Sequence, residues 1–101
     1  MIKVVINYQN NILNNVSIKG HANYAEYNKD IVCASVSSIA MTTINAILSL
    51  DNSFKYVEKE NELVLYNNCE VANKLLNNMI RMLEELATNY KKNINIRKEE
   101  K

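Results

Sequence analysis

The sequence predicts a single α+β domain, a mostly antiparallel sheet with two helices packed on one face. Three observations carry that reading. Strand-like alternation comes in two pairs and one closing segment, each pair is followed by a single helical period, and 101 residues leave room for one core. Hydrophobic residues make up 48% of the chain and charged residues 23%, which excludes a disordered polyelectrolyte. No linker, repeat or low-complexity tract divides residues 1–101, so they are read as one domain.

The elements follow in the order β-β-α-β-β-α-β. In IKVVINY, Ile2, Val4, Ile6 and Tyr8 alternate along one side of a strand. QNN supplies the turn, because asparagine tolerates left-handed backbone better than other non-glycine residues. A second strand runs to about Lys19, with Val16 and Ile18 in phase with Gly20. From Asp30 the period becomes helical: Val32, Val36, Ile39, Thr43, Ala46, Ile47 and Leu50 recur at three and four. Small residues (Ala34, Ser35, Ser37, Ser38, Ala40) suit close packing on a sheet, so this helix is expected to be central and largely buried. DNS ends it.

FKYVEK and ELVLY alternate around Glu60–Asn61 and form a second predicted hairpin. NNCE then opens the longest helical pattern, to about Lys92, with Ala72, Leu75, Leu76, Met79, Leu83, Leu86, Ala87 and Tyr90 on one face. Asn67 with Glu70 resembles a capping box. NINIR adds an edge strand, and KEEK is expected to fray.

Formal net charge is +1, and no one-signed basic stripe marks a nucleic-acid footprint. The start lacks the apolar core of a signal peptide, and no apolar run is read as long enough to span a membrane. Two cysteines without secretory context read as reduced thiols. A cytoplasmic protein, without direct nucleic-acid or membrane contact, is the expectation.

The chemistry concentrates in GHANYAEYNKDIVCAS, residues 20–35, which holds the only glycine and the only histidine. Asp30 fits a helix N-cap, which would set Cys33 in the first helical turn. There the helix dipole lowers a thiol pKa from ~8.5 toward roughly 3.5–7.5, although the Asp30 charge opposes it. His21 is the one imidazole available to complete a pair, and a loop of this length can bring it to Cys33. Cys33 could equally be a small buried residue, and His21 a surface or capping residue. Ser37, one turn beyond Cys33, either hydrogen-bonds near the site or packs on the sheet. Cys69 reads as structural. Cys33, Cys69 and His21 lack zinc-ligand spacing, and neither metal nor cofactor is expected.

Gly20-His21-Ala22, Asp30-Ile31-Val32-Cys33-Ala34 and then Ser37 resemble the pattern of the bacterial ribosomal-processing cysteine protease family. The resemblance covers nearly the whole chain in length and element order. It implies a homodimeric endopeptidase that removes a short N-terminal extension from a large-subunit ribosomal protein, number twenty-seven. It implies Cys33 as nucleophile, His21 as general base and acid, and supporting roles for Gly20, Asp30 and Ser37. Asn28 stands where the family usually has a second glycine, which bears on loop geometry rather than on the pair. Tyr24, Tyr27 and Asn28 lie in the loop that this reading gives to substrate, where the tyrosines would meet aromatic residues of the cleavage site or simply pack. Two rivals stand beside it: a non-catalytic ribosome-associated α+β domain, and a Cys-His hydrolase of a small ester or thioester.

Overall fold

The computed structural model describes residues 1–20 and 27–101, without the side chains of residues 27–30. Its elements are β1 (Ile2–Gln9), β2 (Ile12–Lys19), α1 (Tyr27–Leu50), β3 (Tyr56–Lys59), β4 (Glu62–Tyr66), α2 (Glu70–Asn89) and β5 (Ile94–Glu100), the predicted order. The strands form one sheet, β3-β4-β2-β1-β5. Neighbours are antiparallel except β1 and β5, which are parallel. That exception follows from connectivity: β4 runs with β1, and a helical crossover such as α2 returns the chain in the same direction.

The first hairpin shows how asparagine replaces glycine here. Asn10 and Asn11 have φ of 53° and 63°, the two left-handed residues that a tight two-residue hairpin turn requires. The Asn11 N–H also donates to Glu100 Oε1 at 2.9 Å. Further along, Asn7 pairs with Asn15 but Tyr8 pairs with Leu13, so Asn14 is an extra residue in a β-bulge. The bulge resets the alternation, and Leu13, Val16 and Ile18 are all buried on the side facing the helices. Asn14 gives its carbonyl to the Asn67 N–H at 2.9 Å.

The core lies between that sheet face and the helices. Ile2, Val4, Ile6, Val16, Ile18, Leu63, Leu65 and Ile94 meet Val36, Ile44 and Ile47 of α1 and Leu76, Met79 and Leu83 of α2. Each such side chain contributes about 1.5–3 kcal/mol when fully buried.

α2 is amphipathic, with Ala72, Leu76, Met79, Ile80 and Leu83 inside. α1 departs from expectation. It buries one side only: Ala34, Ser38, Met41, Thr42 and Leu50 are exposed, so the small residues do not all face the sheet. Ile31–Leu50 carries no charge and is long and apolar enough to cross a membrane by length and composition, contrary to the sequence reading. Its serines and threonines hid that length, because they interrupt the apolar run without adding charge. In this fold Val32, Val36, Ala40, Ile44 and Ile47 of the same segment pack in the core.

Element ends correct three further expectations. α2 has 20 residues against 24 in α1, and it stops at Asn89, where the Tyr90 N–H closes on Ala87 and Leu86 carbonyls. Its N-cap is Cys69, so Asn67 and Glu70 make no capping box. The Asn67 side-chain amide instead donates to the Leu13 carbonyl at 2.8 Å and to Asn73 Oδ1 at 3.0 Å. The C-terminal charges do not fray: Lys98 meets Glu84 at 3.5 Å, Arg97 meets Glu99 at 2.8 Å, and the Lys101 N–H reaches the Tyr8 carbonyl at 3.0 Å.

Candidate active site

Gly20 closes β2, and two separate demands fall on it. Its φ is +85°, a conformation that glycine adopts freely and L-residues rarely. A Cβ there would also stand 2.8 Å from the Met1 carbonyl oxygen, closer than side chains pack. The Gly20 N–H donates to the Asn61 carbonyl at 3.2 Å, in the turn between β3 and β4. Asparagine could satisfy the first demand, as Asn10 and Asn11 do, but no L-residue meets the second without moving the Met1 backbone. This explains why the chain spends its one glycine here.

The carbonyl of Gly20 faces Cys33. The Cys33 thiol donates to it across 3.9 Å, a long contact typical of sulfur. Cys33 is 6% exposed and belongs to the core cluster. Neither Cys33 nor Cys69 is in a disulfide. The residue that follows β2 thus brings its carbonyl to the sulfur that α1 presents.

His21 and Tyr24 lie outside the described residues, as do the side chains of Tyr27, Asn28 and Asp30. Gly20, whose carbonyl meets the sulfur, directly precedes His21 in the sequence. The chain therefore enters the segment holding His21 beside the Cys33 sulfur.

The start of α1 revises the local electrostatics. The helix begins at Tyr27, so Asp30 is its fourth residue rather than its cap, and Asn28 has helical backbone rather than the left-handed geometry of a glycine site. Cys33 is the seventh residue. Unpaired amides belong to the first four residues of a helix, and its dipole acts mainly within the first turn. Activation of Cys33 by the helix terminus, and an oxyanion site on first-turn amides beside it, are therefore not supported by this geometry. An imidazole remains the group suited to take the thiol proton.

Ser37 is half-buried one turn after Cys33. Ser35 donates to the Ile31 carbonyl at 2.9 Å, a back-bond within the helix. Cys69 is half-buried at the N-cap of α2, in extended backbone and without a side-chain cap hydrogen bond. Hydrogen bonds from Ser53, the side-chain hydroxyl first and then the amide, hold the Asp51 carboxyl below its usual range, with a smaller contribution from the Cys69 thiol. The structural reading of Cys69 fits this placement. Among the described residues no group of three or more His, Cys, Asp or Glu side chains is placed to hold a metal ion.

Sequence reasoning missed Met1 and Asn61, whose backbones fix Gly20. Neither has a distinctive side chain, and only the isolated glycine signalled that something approaches it closely.

A sequence model of the family described as cysteine protease Prp matches residues 1–95. The chain belongs to this family. It is 31% identical over 88 residues to the ribosomal processing cysteine protease Prp of Bacillus subtilis, covering 76% of this chain and 78% of that protein. Prp of Staphylococcus aureus strain NCTC 8325 is likewise 31% identical over 88 residues, with 80% and 82% covered. Among solved structures, S. aureus Prp with a covalently linked product peptide superposes with a TM-score of 0.83 at 26% identity, covering 98% of this chain and 100% of that one. The S. aureus protease with a substrate peptide gives 0.86 at 24% identity, covering 98% of this chain and 100% of that one, a likeness of fold. The predicted α+β class is thus the Prp fold, and the chain is of the cysteine protease class.

Proposed function

We propose that this chain is a cytoplasmic endopeptidase that removes the N-terminal extension of large-subunit ribosomal protein number twenty-seven, with Cys33 as nucleophile and His21 as general base and acid. The observation that carries the reading is the buried Cys33 thiol against the carbonyl of Gly20, the residue bonded to the only histidine, within a chain of the Prp family. The Cys33 thiolate attacks the scissile carbonyl after its proton passes to the His21 imidazole. Collapse of the tetrahedral intermediate releases the amine, which takes that proton, and leaves a thioester on Cys33. Water, deprotonated by His21, then hydrolyses the thioester and restores the thiol. Asp30 and Ser37 support the site, and Tyr24, Tyr27 and Asn28 line the path of the substrate. The enzyme works as a homodimer without metal or cofactor, and without direct contact to nucleic acid or membrane. Uncharged exposed side chains on α1, Ile31, Met41 and Leu50 among them, favour association of copies.

The test is cleavage of a synthetic peptide spanning the extension and the mature N-terminus of that ribosomal protein. The wild-type chain should cut it once at their junction, and Cys33→Ala should leave it intact. An uncut peptide, or cleavage that survives Cys33→Ala, would return the choice to a non-catalytic ribosome-associated domain or a hydrolase of small esters or thioesters. Sedimentation of the free protein tests the dimer.

A further inference from the structure

We propose that the solvent face of α1, with the groove beside it, is the interface between two copies of this chain, their α1 helices packing antiparallel about a twofold axis near residue 40. The inference rests on the homodimer proposed above and supplies its contact surface.

Residues 31–50 of α1 contain no Asp, Glu, Lys or Arg, although Ile31, Ala34, Ser38, Met41, Thr42 and Asn45 are exposed. A helix face that meets water ordinarily carries charge, and α2 does so, with Lys74, Arg81 and Glu85 exposed. Depletion of charge together with exposed methionine marks the core of a protein interface. Ile31 is 47% exposed, Met41 40% and Leu50 70%. Beside this face Ile39, Ala46, Leu75 and Met82 line a mostly apolar groove of about 190 Å³ between the helices. Helix α1 and the near edge of α2 thus offer a strip about 30 Å long and about 15 Å wide. That is the footprint of the smaller stable interfaces, roughly 600 Å² per partner.

The order of side-chain sizes identifies the occupant. Along the exposed face the small residues Ala34 and Ser38 come first, and the larger Met41, Asn45 and Leu50 follow. A second copy laid antiparallel sets small positions against larger ones. Ala34 then meets the partner's Asn45, Ser38 meets the partner's Thr42, and Ile31 meets the partner's Leu50. Each contact repeats across the twofold axis, as an isologous interface requires. A lipid surface would instead call for a continuous apolar face, and Ser38, Thr42, Asn45 and Ser49 interrupt this one. Cys33 lies on the core side of α1, so the contact joins the helices that carry the nucleophiles without covering the sulfur.

Sedimentation velocity of the full chain at micromolar concentration tests the proposal. Wild type should sediment as a dimer. Thr42→Glu and Ser38→Lys each bury an unpaired charge in the joint and should weaken association by at least about tenfold. The double variant should recover most of it, because the lysine at 38 then faces the glutamate at the partner's 42. Asn95→Glu adds the same charge as Thr42→Glu on the sheet face away from the helices, and it should leave the dimer intact. Circular dichroism and thermal melting check that each variant is folded, and if one singly charged variant is not, the other decides. A wild-type monomer overturns the homodimer and its interface together. A wild-type dimer that survives both single substitutions overturns the interface alone, so the two failures are distinguishable. A double variant that stays monomeric, or dissociation of Asn95→Glu as well, also overturns the proposal. So does co-sedimentation of wild type with phosphatidylcholine–phosphatidylglycerol vesicles, which would give the face to lipid.

Discussion

Both helices of this chain start near a cysteine, and the two starts are built in different ways. Cys69 is the N-cap of α2, half-buried in extended backbone. Cys33 lies seven residues into α1, in the core, with its sulfur on the carbonyl of Gly20. In the sequence both read as cysteines at helix openings, where the helix dipole is the obvious means of activation. The fold separates them by what stands opposite. Cys69 stands near the Asp51 turn, where its thiol makes a minor contribution to lowering the Asp51 carboxyl. Cys33 faces the strand end that leads into the only histidine. Proximity to a helix start is therefore a poor guide to reactivity here, and the neighbouring chain segment is the better one.

The largest expected effect separates the two thiols by activity. Cys33→Ala should lower kcat/KM for the extension peptide by on the order of 10³-fold or more, as loss of a nucleophile does. Cys69→Ala should stay within about twofold, because its thiol touches no reacting atom in the proposed mechanism. Steady-state cleavage by the two purified variants, each checked for folding, makes the comparison. Equal losses would mean that α2 belongs to the site and that the contrast between the helix starts is false.

The contrast also marks how far side-chain pattern reaches. Alternation and helical period located all seven elements, since each buries one face and the period records which. The strand order was less accessible. The parallel pairing of β5 with β1 and the Asn14 bulge depend on tertiary contacts, and Asn14 looks like any other asparagine. Helix starts were misplaced for a definite reason. Asp30 and Asn67 are good caps in isolation, but nothing in Asn28-Lys29 stops a helix from reaching back to Tyr27. Asn67 is drawn away by the Leu13 carbonyl, 54 residues distant in sequence. Cys33 and Gly20 were legible because family resemblance and an isolated glycine drew attention to them. The hold of Met1 and Asn61 on Gly20 is made of backbone, and sequence does not display backbone contacts.

A smaller effect should appear in stability at the start of α2. Cys69 occupies a cap position with suitable extended backbone but no side-chain cap hydrogen bond. Serine there can accept from the amides two or three residues on. Cys69→Ser should therefore stabilise the protein by about 0.5–1 kcal/mol, or roughly 2–8 °C in Tm for a domain of this size. Thermal unfolding followed by circular dichroism checks it. A destabilised variant would show that the packing of the Cys69 sulfur outweighs the cap, and that this cysteine is tied to the core as Cys33 is.

The smallest effect concerns the carboxylate of the Asp51 turn, near Cys69. Asp51 Oδ1 accepts from the Ser53 amide at 2.9 Å and from the Ser53 hydroxyl, and these bonds keep its carboxyl below the ordinary 3.8. A carboxyl with a folded-state pKa below its unfolded value stabilises the fold above the unfolded pKa, and that stabilisation is lost as pH falls through the folded value. The window thus opens near 3.8 and extends downward. Because Asp51 is solvated, the effect is small and weakened further by salt. Asp51→Asn should melt slightly below wild type at neutral pH, and the difference should vanish in acid once the wild-type carboxyl is protonated. Melting temperatures of both proteins across that range test it. A gap that persists unchanged into acid would mean that the Asp51 turn acts by shape and not by charge.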